Sequence, residues 1–193
     1  MLETFDGSVG WAALRERFAE TLPGATLSAL DEAVAFAVER HGDQRRPAGE
    51  AYVEHLLEAL LVLVDAVGVR DADTLRAAVL HDVVEDTDTT LDEVRQRFGP
   101  RVAELVGWVT KTEGVERAAY LARLRQAPAE AIDVKLADRL SNVQRLRTHP
   151  RPEKRVSYFR ETVGSIVPLA ADRPWFAQWY RQWQHDHADL GHD

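Results

Sequence analysis

The sequence predicts an all-α fold, and three observations carry that expectation. Apolar residues recur at three- and four-residue spacing along nearly the whole chain. No stretch alternates apolar and polar with period two between hairpin turns. The breaks between periodic stretches hold capping and turn residues: LPGAT, GDQRRPAGE, GVRDAD, DTDTT, FGP, TEG and THPRP.

These breaks divide the chain into helices in order. The first, at about 8–21, carries Trp11 and Phe18 as packing residues. Helices at about 28–41 and 50–67 follow the first two breaks, and within the latter LLEALLVLVDAVG is too short to span a bilayer. A helix at about 72–85 ends in the polar loop DTDTT. Thr89 or Thr90 caps the next, at about 90–98, whose first turn holds Asp92 and Glu93. Gly99-Pro100 stops that helix and starts another at about 100–110. Helices at about 115–125, 128–147, 152–171 and 174–187 complete the chain. The expected organisation is an N-terminal helical extension (1–27), one main domain (28–171), and a C-terminal aromatic helix with a polar tail packed on that domain (172–193).

Composition narrows the classes of function. The 193 residues suffice for one domain with a real core, and 45% hydrophobic with 29% charged residues describes a globular protein. The net charge of −8 argues against a nucleic-acid-binding surface and against adhesion to an anionic membrane. With no cysteine there is no disulfide, thiolate metal site or cysteine nucleophile, as suits a reducing compartment. MLETFDGSVGW lacks the basic-then-apolar pattern of a signal peptide, so a cytoplasmic location is expected.

One stretch does not fit a plain helix. AVLHDVVEDTDTT places His81, Asp82, Glu85 and Asp86 among Leu75, Ala78, Val79, Val83 and Val84. Carboxylates at a helix C-terminus repel the dipole and one another, and burying them unpaired is costly. A divalent cation would compensate, and imidazole with carboxylate suits Mn, Fe or Zn. Two residues cannot hold an ion alone. His55 in AYVEHLLEALLVLV and Asp138 in IDVKLADRLSNVQRL stand out on other apolar helices and make a set of two imidazoles and two carboxylates. Lys135, Asp138, Arg139 and Asn142, at i, i+3, i+4 and i+7, form one polar stripe on an apolar helix, as expected where a helix faces a site. Taken singly, His55 reads as a core histidine and Asp138 as the partner of Lys135 or Arg139.

These motifs together resemble a known family. LHDVVEDTDTT, then FGPRVAELVGWVTK, then VKLADRLSNVQRL, with ERHGDQRRPAGEAYVEHL upstream, resemble the HD-superfamily hydrolase domain of the RelA/SpoT proteins, especially the stand-alone small alarmone hydrolases. The resemblance covers about residues 28–170. It implies a compact multi-helix HD fold and metal ligands at His55, His81, Asp82 and Asp138, with manganese the usual ion and another divalent metal admissible. It implies that Glu85 and Asp86 activate the attacking water. It places Arg45, Arg46 and Lys111 near the nucleotide or its phosphates, Asn142 on the substrate, and Tyr158 and Arg155 in a weaker match to a substrate-contacting helix.

The chain departs from the family pattern at Leu56, where proline commonly follows the ligand histidine, and at Ala51-Tyr52, where Pro-Tyr is common. The C-terminal RPWFAQWYRQWQHDHADLGHD lies outside the resemblance. Its His185-Asp186 pair, with His187 and His192, lacks the apolar flanks of a second metal site. The expected activity is metal-dependent removal of the 3′-diphosphate from (p)ppGpp, giving GDP or GTP and pyrophosphate. Alternatives are an HD phosphohydrolase acting on NADPH or another nucleotide phosphate, and a non-catalytic nucleotide sensor. The expected partner is a small nucleotide, with no nucleic acid or membrane; a homo-oligomer is possible. A hydrolase-only form, with no synthetase segment following, is the expectation.

Overall fold

The computed structural model describes residues 2–191, and among them there are helices and turns with a single isolated bridge, Arg45 to Ala51. Eleven α-helices follow in order: α1 Gly10–Phe18, α2 Gly24–His41, α3 Tyr52–Leu61, α4 Ala72–Leu80, α5 Val83–Asp86, α6 Leu91–Phe98, α7 Pro100–Val109, α8 Arg117–Leu124, α9 Ala129–Val143, α10 Pro152–Glu161 and α11 Pro174–Asp186. None is long and apolar enough to cross a membrane.

Hydrophobic pattern decides which helices lie inside. Leu56, Leu57, Ala59, Leu60 and Leu61 of α3 and Leu75, Ala77, Ala78, Val79 and Leu80 of α4 are all buried, so these helices are apolar nearly all round and take the centre. α2, α7 and α9 pack around them and present polar residues outward. The capping expectations hold in detail: Thr90 Oγ1 accepts from the Glu93 N–H, and Gly99, at φ 94°, separates α6 from Pro100 at the first turn of α7.

Three expected helices are interrupted. The helix at 50–67 widens into a π-turn over 62–67, then closes on Gly68 in the left-handed region. That at 152–171 becomes a π-turn at 162–166 and a 3₁₀ turn at 167–170, where Pro168 supplies no backbone N–H. The third break matters most. The helix expected over 72–85 stops at Leu80; Asp82 takes φ −102°, ψ −7°; and a short helix resumes at Val83. His81 Nδ1 bonds the Ala78 carbonyl at 2.7 Å, inside the turn where the helix would have continued. This corrects the electrostatic expectation. Asp82 stands at the N-cap position of α5 with Glu85 and Asp86 in its first turn, so the acids do not crowd the negative end of one long helix.

Both ends of the chain fasten to α9 or its C-terminal extension. Phe5 exchanges two hydrogen bonds with the Gln144 amide, and its carbonyl also accepts from Arg145 at 2.8 Å. Gly7 lies so close to Glu54 that a β-carbon there would overlap the Glu54 carbonyl. At the other end, Tyr180 donates to the Leu136 carbonyl at 2.7 Å and Trp183 to the Val143 carbonyl at 2.9 Å. Phe5, Trp179, Tyr180 and Trp183 thereby join the same core as the central helices.

Candidate metal centre and its pocket

Three chain segments bring four side chains to one point. His55 comes from α3, His81 from the end of α4, Asp82 from the break, and Asp138 from α9. His55, His81 and Asp138 are at most 4% exposed, and one ligand atom from each of the four lies within 4.8 Å of the other three. His55 Nε2 is 3.1 Å from His81 Nε2, 3.2 Å from Asp138 Oδ1 and 3.4 Å from Asp82 Oδ2. His81 Nε2 is 3.2 Å from Asp82 Oδ2 and 3.5 Å from Asp138 Oδ1. Donors about 2.1 Å from a shared centre stand about 3.0 Å apart at right angles and about 3.4 Å apart at tetrahedral angles. The observed spacings are those of a ligand shell.

Counting hydrogens gives an independent test. The Ala78 carbonyl can only accept, so His81 carries its hydrogen on Nδ1 and presents a lone pair at Nε2. Ser141 gives its one hydroxyl hydrogen to Glu58, so its oxygen accepts from His55 Nδ1 at 2.8 Å, and His55 Nε2 is bare as well. With both rings neutral, two nitrogen lone pairs and two carboxylate oxygens thus converge with no hydrogen among them, a place that either a proton or a metal ion can fill. Such a group attracts positive charge. Burial opposes a charge on His81, yet Asp82 and Asp138 outweigh it and hold its pKa well above the ordinary value. Against their own burial, Asp82 is held well below the usual carboxylate range by His81, and Asp138 by Lys135 and both histidines. The cluster could hold a metal ion.

Above it opens a pocket of about 510 Å³, within the usual range for small-ligand sites. Asp82, Asp138, Glu85 and Asp86 face it, and Arg117, Lys135, Arg139 and Lys154 supply positive charge. Lys135 donates to Asp138 at 2.6 Å, and Asn142 donates to the other Asp138 oxygen at 2.7 Å. All four residues of the polar stripe line the pocket. Glu85 accepts the Lys111 backbone N–H at 2.9 Å, and partial desolvation pushes its carboxyl above the ordinary glutamate value despite that bond. Tyr52 Oη sits between Asp82 at 2.7 Å and Asp86 at 2.5 Å, its ring stacked on His41. Glu161 accepts from both Arg117 and Arg139 at the pocket wall. A cavity of about 560 Å³ beside Trp175 and Trp179 holds none of the candidate residues.

The structure sorts the residues singled out in the sequence. His55, His81, Asp82 and Asp138 converge; Glu85, Asp86, Asn142 and Tyr158 line the pocket above them. Arg45 is exposed and bonds Gly49 within its own loop. Arg46 turns to Glu58 and the Ser141 carbonyl, on the far side of His55. Lys111 contributes its backbone to Glu85, and Arg155 bonds the His149 carbonyl. None of those four side chains lines the pocket. His185 is exposed and Asp186 accepts from Gln182, while His192 lies outside the described residues.

Sequence reasoning overlooked Tyr52, Glu58, Ser141, Arg117, Lys154 and Glu161. For Tyr52 and Glu58 a signal existed: each lies three residues from His55 on one helix, hence on its face.

The sequence pattern of the HD domain matches residues 33–174. The guanosine-3′,5′-bis(diphosphate) 3′-pyrophosphohydrolase of Aquifex aeolicus is 44% identical over 148 residues, which are 73% of this chain and 21% of that protein. A GTP pyrophosphokinase rsh of Brucella abortus is 35% identical over 167 residues, 81% of this chain and 22% of that protein. The chain therefore spans about a fifth of the length of these relatives. The guanosine-3′,5′-bis(diphosphate) 3′-pyrophosphohydrolase MESH1 of Mus musculus is 39% identical over 156 residues, 75% of this chain and 86% of that protein. A solved structure of a metazoan ortholog of SpoT, described as hydrolysing ppGpp, superposes with a TM-score of 0.77 at 29% identity, covering 86% of this chain and 97% of that one.

Proposed function

The chain belongs to the HD-domain family, and from that membership we propose that it is a metal-dependent hydrolase that removes the 3′-diphosphate from (p)ppGpp. One observation carries the proposal: two imidazoles and two carboxylates converge beneath a pocket whose walls hold four cationic side chains. The relatives named for this reaction point the same way.

In this proposal His55, His81, Asp82 and Asp138 hold the ion, and manganese suits a set of two imidazoles and two carboxylates without thiolate. When bound, the ion polarises phosphate oxygens and makes a water easier to deprotonate at neutral pH. The protein's side chains do the rest. Glu85 has one oxygen fixed by the Lys111 N–H and the other open to the pocket, and its raised pKa makes it a stronger base than an ordinary glutamate. It takes the proton as water adds to the phosphorus next to the ribose. The bond from that phosphorus to the 3′-oxygen breaks, the 3′-oxygen is protonated, and GDP or GTP leaves with pyrophosphate. Asp86, fixed by Tyr52, orients the same water. Arg117, Lys135, Arg139 and Lys154 neutralise the diphosphate, and Tyr158 and Asn142 border the nucleotide. The distant Arg45 and Arg155, and the Lys111 side chain, would reach the nucleotide only after rearrangement.

The test is pyrophosphate release from ppGpp with manganese, across a panel that includes NADPH. Asp82→Ala and Asp138→Ala are expected to lose turnover while keeping their helical circular dichroism. Full activity in either variant defeats the ligand assignment. Binding of ppGpp without turnover in saturating manganese would instead make the protein a sensor.

A further inference from the structure

The two facing helices that carry His55 and Asp138 each place a second buried polar residue one turn further on. Glu58 follows His55 by three positions on α3, and Ser141 follows Asp138 by three on α9; each is 2% exposed. The two residues bond each other. Glu58 also accepts from Arg46 at 3.0 Å and from Arg145 at 2.5 Å, so its buried carboxylate is balanced by two guanidinium groups and can act only as an acceptor. The Ser141 hydrogen therefore points to Glu58, and the Ser141 oxygen receives the His55 Nδ1 hydrogen at 2.8 Å.

We infer that Glu58 and Ser141 are positioning residues for the ion site: the chain Glu58–Ser141–His55 locks His55 in the tautomer whose Nε2 lone pair faces His81, Asp82 and Asp138. This rests on the proposal that the four-residue cluster binds a divalent ion. Partners behind a ligand histidine fix its tautomer and ring orientation, and losing one typically lowers metal affinity 10–100-fold. The relay also gives Arg46 a task distinct from contact with a nucleotide. It holds the Glu58 charge, and through Ser141 the loop at 42–51 is wired to His55. Arg145 extends the connection to the Phe5 carbonyl, so the N-terminal segment is tied to the same carboxylate.

The experiment is calorimetric titration of the full chain with Mn²⁺ alone, beside the melting temperature of the metal-free protein. Ser141→Ala is expected to weaken Mn²⁺ binding about tenfold or more, with the metal-free melting point lowered by roughly 2–12 °C because two buried polar groups lose their partner. Ser141→Thr, which keeps the hydroxyl, restores the affinity to within about threefold of wild type. An affinity within about twofold of wild type in Ser141→Ala overturns the relay, as does a loss that Ser141→Thr does not restore. Asp138→Ala is the control: if it binds Mn²⁺ like wild type, the ion site itself is wrong and the relay falls with it. If only Ser141→Ala behaves like wild type, the ion site stands and the relay alone is refuted.

Discussion

His55 and His81 face each other nitrogen to nitrogen at 3.1 Å, and with both rings neutral neither Nε2 carries a hydrogen, because each ring spends its one hydrogen on the opposite side. Two bare nitrogens at that distance repel unless positive charge lies between or beside them. Manganese should therefore stabilise the fold. At a hundredfold excess over the dissociation constant the gain is about 2.7 kcal/mol, or a rise in melting temperature of roughly 5–10 °C for a chain of this size. Differential scanning fluorimetry with Mn²⁺ and then with chelator measures it; His81→Ala should abolish the rise.

Glu85 has the raised pKa expected of a proton acceptor. A base works only when deprotonated, so kcat/KM should fall as pH drops through that raised value, higher than for an ordinary glutamate. Glu85→Gln should lower kcat by about 10²–10⁴-fold with Mn²⁺ affinity retained. A rate profile unchanged in Glu85→Gln would assign the base elsewhere.

Glu161 joins α10 to Arg117 and Arg139, and although burial opposes its charge, these partners hold its carboxyl below the ordinary value. A depressed folded-state pKa contributes stability above the unfolded value and loses it as pH falls through the folded one. Arg117 is half exposed, so solvent screening limits the contribution to about 1 kcal/mol. Urea unfolding at pH 7 should show Glu161→Gln less stable by that amount. The gap should narrow as pH falls through the lowered folded-state pKa of Glu161, where wild type loses its advantage.

Gly7→Ala tests the seating of the N-terminal segment. The added methyl overlaps the Glu54 carbonyl, which is held in α3 and cannot withdraw, so the segment must move. Overpacking of this kind costs about 1–3 kcal/mol. A melting point within a degree of wild type would show that residues 2–9 sit loosely.

Much of the site was legible because its residues break a pattern. His81, Asp82 and Asp138 are polar residues among apolar neighbours, and the stripe from Lys135 to Asn142 has helical spacing, so both could be read before any coordinate. The break after Leu80 could not. It depends on a side-chain bond from His81 to its own helix and on the convergence of two other chain segments, those of His55 and Asp138. Ser141 was invisible for a different reason: serine in a helix signals nothing until Glu58, 83 positions away, is seen beside it. Arg46 read as a contact to the nucleotide or its phosphates, because its partners lie 12 and 95 residues off and nothing local points to them. The π-turns at 62–67 and 162–166 leave the apolar periodicity almost intact, so periodicity passed over them.

Four cationic and five carboxylate side chains line the pocket above the metal cluster, in a chain whose net charge is −8. A bound divalent ion tips that lining to positive, so an incoming polyanion meets a repulsive far field before it reaches an attractive near one, the reverse of electrostatic steering. Salt acts unequally on the two. At 0.1 M the screening length is about 10 Å, short enough to erase the outer repulsion while contacts inside the pocket persist. Capture of a highly phosphorylated molecule should thus quicken, not slow, between very low and moderate ionic strength.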